Sequence, residues 1–138
     1  MNENQTTQEA QPLITKYRYL RSQDYFPAAQ GQYAKLAITI ATDLDTDESG
    51  FTFCYWSVAF KAPSDQFNKA EARKAVLENA QDPIKSGFLP LGYKYDHNEI
   101  VGKILMSLLI NDVALTKHYY TFIRALLQDH EGFKAFFS

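Results

Sequence analysis

The stretch from residue 33 to residue 80 contains two strand-like runs, an acidic connection and a helix start in direct succession. Residues 35–42 and 51–61 are rich in β-branched and aromatic side chains, which is typical of strands. Asn68, followed three positions later by Glu71, is typical of a helix N-terminus. This order predicts an antiparallel hairpin that leads into a helix.

Alternation within the two runs predicts which side chains share a face of the hairpin. The even-numbered positions carry the apolar set Leu36, Ile38, Ile40, Cys54, Trp56, Val58 and Phe60. On this face we expect Ile38 to lie near Trp56 and Ile40 to lie near Cys54.

Two apolar surfaces have no obvious cover in the sequence, namely the odd-numbered hairpin face and the C-terminal end. Their residues are Phe51, Phe53, Tyr55, Phe133, Phe136 and Phe137. Contiguous exposed apolar surface usually marks an interaction site. We therefore predict a protein interface there, with a foreign protein or with a second copy in a homodimer. The alternative is a monomer in which residues 87–95 or the last helix fold over the odd-numbered face.

The whole chain predicts an α+β fold with a disordered polar tail at 1–12 and one domain at 13–138. Residues 13–21 alternate as a first strand, with a short amphipathic helix as the alternative, and 87–95 predict a loop or a short edge strand. Helices are predicted near 68–81, 97–110 and 112–131, with Asp96 followed by Glu99 as a second cap and the last helix starting at Asn111 or Asp112. We expect an antiparallel sheet of three to four strands packed on one face by about three helices, which are concentrated in the C-terminal half.

Composition restricts the class of protein. With 138 residues, 46% apolar and 22% charged, the chain is typical of one soluble globular domain. The net charge of −2 gives no overall attraction to nucleic acid or membranes. The single cysteine excludes an intramolecular disulfide and favours a reducing, cytoplasmic setting. Ten Phe, nine Tyr and one Trp favour binding, because aromatic residues are enriched at interfaces.

The acidic connection imitates the start of a calcium-binding loop. Asp43, Asp45 and Asp47 alternate as the first EF-hand ligands do. The sixth and twelfth positions are Glu48 and Cys54, whereas an EF-hand requires Gly and Glu there. A solvated acidic turn is therefore the favoured interpretation, and no metal site is predicted.

Catalytic motifs are not found in the sequence. His97, His118 and His130 lack metal-ligand spacing, and Cys54 lies on the predicted core face as an inert small side chain. Phosphate-binding, dinucleotide-binding and nucleophile-elbow patterns do not occur. We predict no catalytic residue and no cofactor, although a small enzyme whose site forms only in three dimensions is an alternative.

The first predicted strand interleaves bases with aromatic rings, as Lys16, Tyr17, Arg18, Tyr19 and Arg21. This combination stacks unpaired bases and neutralises phosphates, so single-stranded nucleic-acid binding is the alternative function. The simpler interpretation is an edge strand with tyrosines inward and charges outward.

The turn after the second run contains Pro63, Asp65, Phe67, Lys69 and Arg73. This tract resembles a segment of small uncharacterised phage and mobile-element proteins, in which a strand meets a Pro-x-Asp-x-Phe-x-Lys turn and a basic helix. The resemblance covers residues 58–75 only, and Ala replaces the usual Gly ahead of Arg73. It implies an accessory protein of a phage or mobile element, with inhibition of a host defence factor as one version. Taken with the aromatic content, the sequence favours non-catalytic protein binding.

Overall fold

The computed structural model describes residues 15–26, 35–62, 65–111 and 115–129. The strands are β1 (Thr15–Arg21), β2 (Ala37–Thr46), β3 (Thr52–Phe60) and β4 (Ser86–Gly92). The helices are α1 (Ser22–Tyr25), α2 (Lys69–Glu78), α3 (His97–Ile110) and α4 (Lys117–Asp129), and a 3₁₀ turn (Asn79–Gln81) follows α2. The predicted α+β class is confirmed, with its later helices in the C-terminal half.

The four strands form one antiparallel sheet in the order β1-β2-β3-β4. Residues 13–21, for which a strand or a short helix was predicted, form the strand β1 over Thr15–Arg21. Residues 87–95, predicted as a loop or a short edge strand, contribute to the edge strand β4. The predicted disordered tail at 1–12 lies outside the described residues.

The hairpin register differs from the predicted one by four residues. The observed pairs are Ile38–Phe60, Ile40–Val58, Thr42–Trp56 and Leu44–Cys54. The predicted pairs are wrong because β2 continues to Thr46, which pairs with Thr52, so that the connection is only five residues long. Asp47 stabilises this short turn by accepting hydrogen bonds from the Ser49 and Phe51 amides. The shift is even-numbered, so each side chain keeps its predicted face.

The even-numbered face of the sheet packs against α3 and α4 to form the main core. The largest fully buried side chains of this core are Leu20, Leu36, Ile38, Ile40, Ile104, Leu105, Leu108, Phe122, Ile123, Leu126 and Leu127. Their combined burial supplies the main driving force for folding.

Helix α2 packs on the opposite, odd-numbered face, so the expectation that all helices share one face is wrong. Val76 is fully buried against Ala41 and Ala59, and the Ser57 hydroxyl donates a 2.9 Å hydrogen bond to the Val76 carbonyl. Small side chains on both surfaces explain the placement, because they let the helix approach the strands closely.

The predicted caps of α2 and α3 are confirmed. Asn68 and Asp96 precede these helices, and their side chains accept 3.0 Å bonds from the amides of Glu71 and Glu99. The last helix starts later than predicted, at Lys117, and its first turn includes a bond from the Tyr119 amide to the Thr116 hydroxyl. Residues 112–114 lie outside the described part.

Candidate protein interface

Five aromatic rings form a continuous row on the sheet face that carries the odd-numbered side chains of the hairpin. We call this row of rings the aromatic patch. In order of contact they are Tyr93, Phe51, Phe53, Phe88 and Tyr55. Successive ring centroids lie 4.9–5.3 Å apart, and the Phe53 and Phe88 rings are stacked. These separations fall in the range of favourable ring pairs.

Strand pairing places the rings together. Tyr55 of β3 lies directly opposite Phe88 of β4, and Phe53 lies diagonally from Phe88. Of the patch, Phe51, Phe53 and Tyr55 were predicted from sequence, whereas Phe88 and Tyr93 were missed. They were missed because the register of β4 on β3 could not be read from the sequence. In that register, residues 87–95 extend the aromatic face and do not cover it.

The aromatic patch is exposed within the described structure. Tyr55, Phe88 and Tyr93 are 45%, 49% and 67% exposed, and Phe51 and Phe53 are partly buried. Helix α2 covers only the small-residue half of the face, while α4 packs on the other side of the sheet. Among described residues, therefore, neither candidate cover in the monomer alternative folds over these rings.

The second predicted surface, at the C-terminal end of the chain, lies outside the described residues. Phe133, Phe136 and Phe137 lie beyond residue 129, where the described part of the chain ends. Their role in an interface stays a prediction.

Carboxylates border the aromatic patch on the side of β2. Asp43 lies opposite Tyr55 in the strand register, and Asp45 lies opposite Phe53. The Asp43 Oδ1 atom is buried and has no hydrogen-bond partner among the described residues. The patch is therefore apolar along β3 and β4 and acidic along β2.

Asp47, the third carboxylate of the calcium-like pattern, accepts hydrogen bonds from its own hairpin turn. The Ser49 hydroxyl donates a 2.7 Å bond to Asp47 Oδ1, and the amides of Ser49 and Phe51 donate to the same oxygen. The Ser49 hydroxyl, with these backbone amides, lowers the pKa of Asp47. Within the described ranges, no three acidic, histidine or cysteine side chains form a group that would hold a metal ion.

A hollow of about 320 Å³ lies between the patch and the end of α2. Its lining includes Asp43, Tyr55, Ser57, Leu77 and Ser86. The hollow therefore joins the acidic border to the Tyr55 end of the aromatic patch.

The five residues of the nucleic-acid alternative are divided between the two faces of β1. The strand register places Tyr17, Tyr19 and Arg21 on the side of α2. Lys16 and Arg18 lie on the opposite side of the strand. Burial is the main cause of the lowered pKa of His97, and the positive charges of Arg18 and Lys16 lower it further. The predicted alternation of this strand is thus observed, but the five side chains do not share one surface.

Cations of α2 lie over the two tyrosine rings of β1. The Arg73 guanidinium carbon is 5.1 Å from the Tyr17 ring centroid, and Lys69 Nζ is 5.2 Å from that of Tyr19. Arg73 Nε also donates a 2.7 Å hydrogen bond to the Tyr19 hydroxyl. These cation–π contacts attach α2 to β1 and give both rings an internal role.

Cys54 is buried in the main core, as predicted. Burial, with a smaller contribution from the Asp43 charge, raises the pKa of its thiol to about 11. A thiol with a raised pKa and no exposure is a poor nucleophile. The geometry therefore gives no support to Cys54 as the reactive group of the enzyme alternative.

Comparisons with known proteins find no match among family models, curated proteins or solved structures. In the part of the chain that the structure describes, no helix has both the length and the apolarity needed to cross a membrane.

Proposed function

We propose that this chain is a non-catalytic protein-binding protein whose contact surface is the aromatic patch. The observation that carries the proposal is the row of five touching rings, three of which are 45–67% exposed. Tyrosine and phenylalanine are enriched at interfaces, where they bury a large area with few rotatable bonds. Rings that already contact one another also lose little side-chain entropy on binding.

The face of the sheet suits a partner better than the adjacent edge does. Pro90 lies within the edge strand β4 and has no backbone N–H to donate. An added strand would therefore pair incompletely with β4. The rings beside it offer a contact that does not depend on backbone pairing.

We extend the proposal to an accessory protein of a phage or mobile element that acts in the cytoplasm on a host protein, with inhibition of a defence factor as one version. This extension is supported by the resemblance of residues 58–75. In that tract, Phe67 packs edge-on against Tyr19, with ring centroids 5.6 Å apart, and Arg21 lies 4.8 Å from the Phe67 ring centroid. Pro63 lies outside the described residues.

Affinity capture from a bacterial lysate tests the function. The wild-type chain, a Tyr55→Ser/Phe88→Ser variant and an Ile110→Ser control are compared with and without nuclease. Ile110 is 70% exposed at the end of α3, which packs on the opposite face of the sheet from the patch, so its replacement controls for general loss of apolar surface.

We expect one protein to be retained by the wild type and the control, to be lost with the patch variant, and to be insensitive to nuclease. Equal retention by all three chains would contradict binding through the patch. Recovery that depends on nucleic acid would favour the single-stranded nucleic-acid alternative.

A further inference from the structure

Asp43 has an unsatisfied carboxylate oxygen beside the aromatic patch. Within the described ranges its Oδ1 atom is buried and has no hydrogen-bond partner, while the residue as a whole is partly exposed. A buried acceptor left unpaired costs free energy, so such an atom in a native structure requires an explanation. Asp43 also lines the hollow between the aromatic patch and the end of α2, so a donor from a binding partner can reach its accessible carboxylate surface there.

The hollow next to Asp43 gives a donor a route to this carboxylate. Its volume of about 320 Å³ is roughly ten times the about 30 Å³ that one water occupies in the liquid, so it admits a side chain. Leu77 and Ala80 form part of its apolar wall, and no basic side chain is among the described residues that line it. The negative charge of Asp43 is therefore not compensated from within the hollow.

The ring of Tyr55 completes the arrangement. Asp43 and Tyr55 are directly paired across β2 and β3, and Tyr55 contacts Phe88 with ring centroids 5.2 Å apart. A carboxylate beside an exposed ring suits a planar cation, which can stack on the ring and donate hydrogen bonds at its edge. Arginine fits this description better than lysine, because its guanidinium is planar and more weakly hydrated.

We propose that the hollow receives an arginine side chain of the protein partner, which bonds to Asp43 and stacks on Tyr55 while neighbouring apolar residues of that partner cover the aromatic patch. This inference rests on the proposed protein-binding function and specifies the partner's chemistry. Charge complementarity supports it, since Asp45 adds a second carboxylate along the same border. The same carboxylates repel the phosphates of a nucleic acid.

A titration followed by NMR tests the arginine site directly. The probe is N-acetyl-arginine methylamide, and the matched probe is the citrulline analogue, which has the same shape without the charge. Both are added to the wild-type chain, to Asp43→Asn and to Asp24→Asn. Asp24 is an exposed carboxylate on α1, and its replacement controls for the change in net charge.

We expect saturable shifts of the Asp43 amide and of the Tyr55 ring signals with the arginine probe. Binding should weaken at least about fivefold with the citrulline probe or in Asp43→Asn, because a charge-assisted bond is lost, and should persist in Asp24→Asn. Equal binding of the two probes, or shifts spread over the other surface carboxylates, would overturn the proposal. Thermal melts of both variants establish that they are folded.

Partner capture separates failure of this inference from failure of the proposed function. If Asp43→Asn retains the captured protein as well as the wild type while Tyr55→Ser/Phe88→Ser loses it, the arginine site is wrong and the interface stands. If both variants retain it, the interface itself is wrong. If the captured partner is a second copy of this chain, one of its own arginines must fill the hollow, and replacing each exposed arginine in turn identifies it or contradicts the proposal.

Discussion

The indole of Trp56 lies directly against the backbone of Gly87 on the neighbouring strand. The two residues are paired across β3 and β4, and a β-carbon built on Gly87 would be 2.5 Å from Cζ2 and 2.7 Å from Cε2 of the indole. Trp56 is only 7% exposed, so its ring has little freedom to move aside. Gly87 is therefore required for the close packing of the edge strand on the core.

We expect Gly87→Ala to lower the free energy of unfolding by about 1–3 kcal/mol, since the added methyl group overlaps the indole. Urea unfolding of the two single variants and the double variant measures the coupling between Gly87→Ala and Trp56→Ala. The alanine at residue 87 should cost much less once the indole is absent. Additive effects would show that the clash does not arise from Trp56.

Trp56→Ala should itself be severely destabilising, by about 3–5 kcal/mol, because it leaves a large cavity in the main core. The midpoint of denaturant unfolding measures this change. A midpoint close to that of the wild type would place the ring outside the core and contradict the observed face assignment.

Tyr119 should make stability depend on pH in the alkaline range. Its hydroxyl accepts from the Ala37 amide at 3.1 Å and is within hydrogen-bond distance of the Ala37 and Lys61 carbonyls, and burial raises its pKa from 10.0 to about 12. A raised pKa in the folded state contributes stability below pH 10 that is lost as pH rises toward 12. The expected loss is about 2–3 kcal/mol, from a shift of two pKa units.

Unfolding of Tyr119→Phe at several pH values checks this prediction. The variant should be less stable at neutral pH by about 1–3 kcal/mol, because the hydroxyl no longer accepts from the Ala37 amide or donates to a carbonyl, and its stability should fall less between pH 10 and pH 12. Cys54, whose pKa is raised from 9.0 to about 11, adds a loss of the same sign at lower pH, so Cys54→Ala is the matched control. An unchanged pH dependence in Tyr119→Phe would contradict the assignment.

Calcium should leave the melting temperature unchanged. Asp43 and Asp45 lie along β2, while the Asp47 carboxylate is occupied by its own turn. Melting curves in calcium and in EDTA test this expectation. A rise of several degrees with calcium would reveal a cation site at the end of the hairpin.

Self-association is expected if the aromatic patch also contacts its own copy. A symmetric dimer would place the two patches face to face, and Tyr55→Ser/Phe88→Ser should then sediment as a monomer. Sedimentation of a variant truncated after Glu131 tests whether Phe133, Phe136 and Phe137 contribute to the association. Monomeric behaviour of the intact chain would leave a foreign protein as the partner for the patch.

Local information in the sequence was enough to predict the strands β2 and β3, the helices α2 and α3, and the faces of β2 and β3. Asn68 and Asp96 cap their helices as predicted, because a cap depends on residues within one turn. The even-numbered apolar residues of β2 and β3 enter the core because side chains alternate along a strand whatever its register.

Only the tertiary structure decided the register, the position of α2 and the extent of the interface. The length of β2 depends on a turn closed by Asp47, and the face chosen by α2 depends on how closely its small side chains approach Ala41 and Ala59. Phe88 joins Tyr55 only because β4 pairs with β3 in one particular register. The contacts that place α2 on Ala41 and β4 beside β3 join residues that are distant along the chain, and packing between whole elements selects them, so no local pattern contains them.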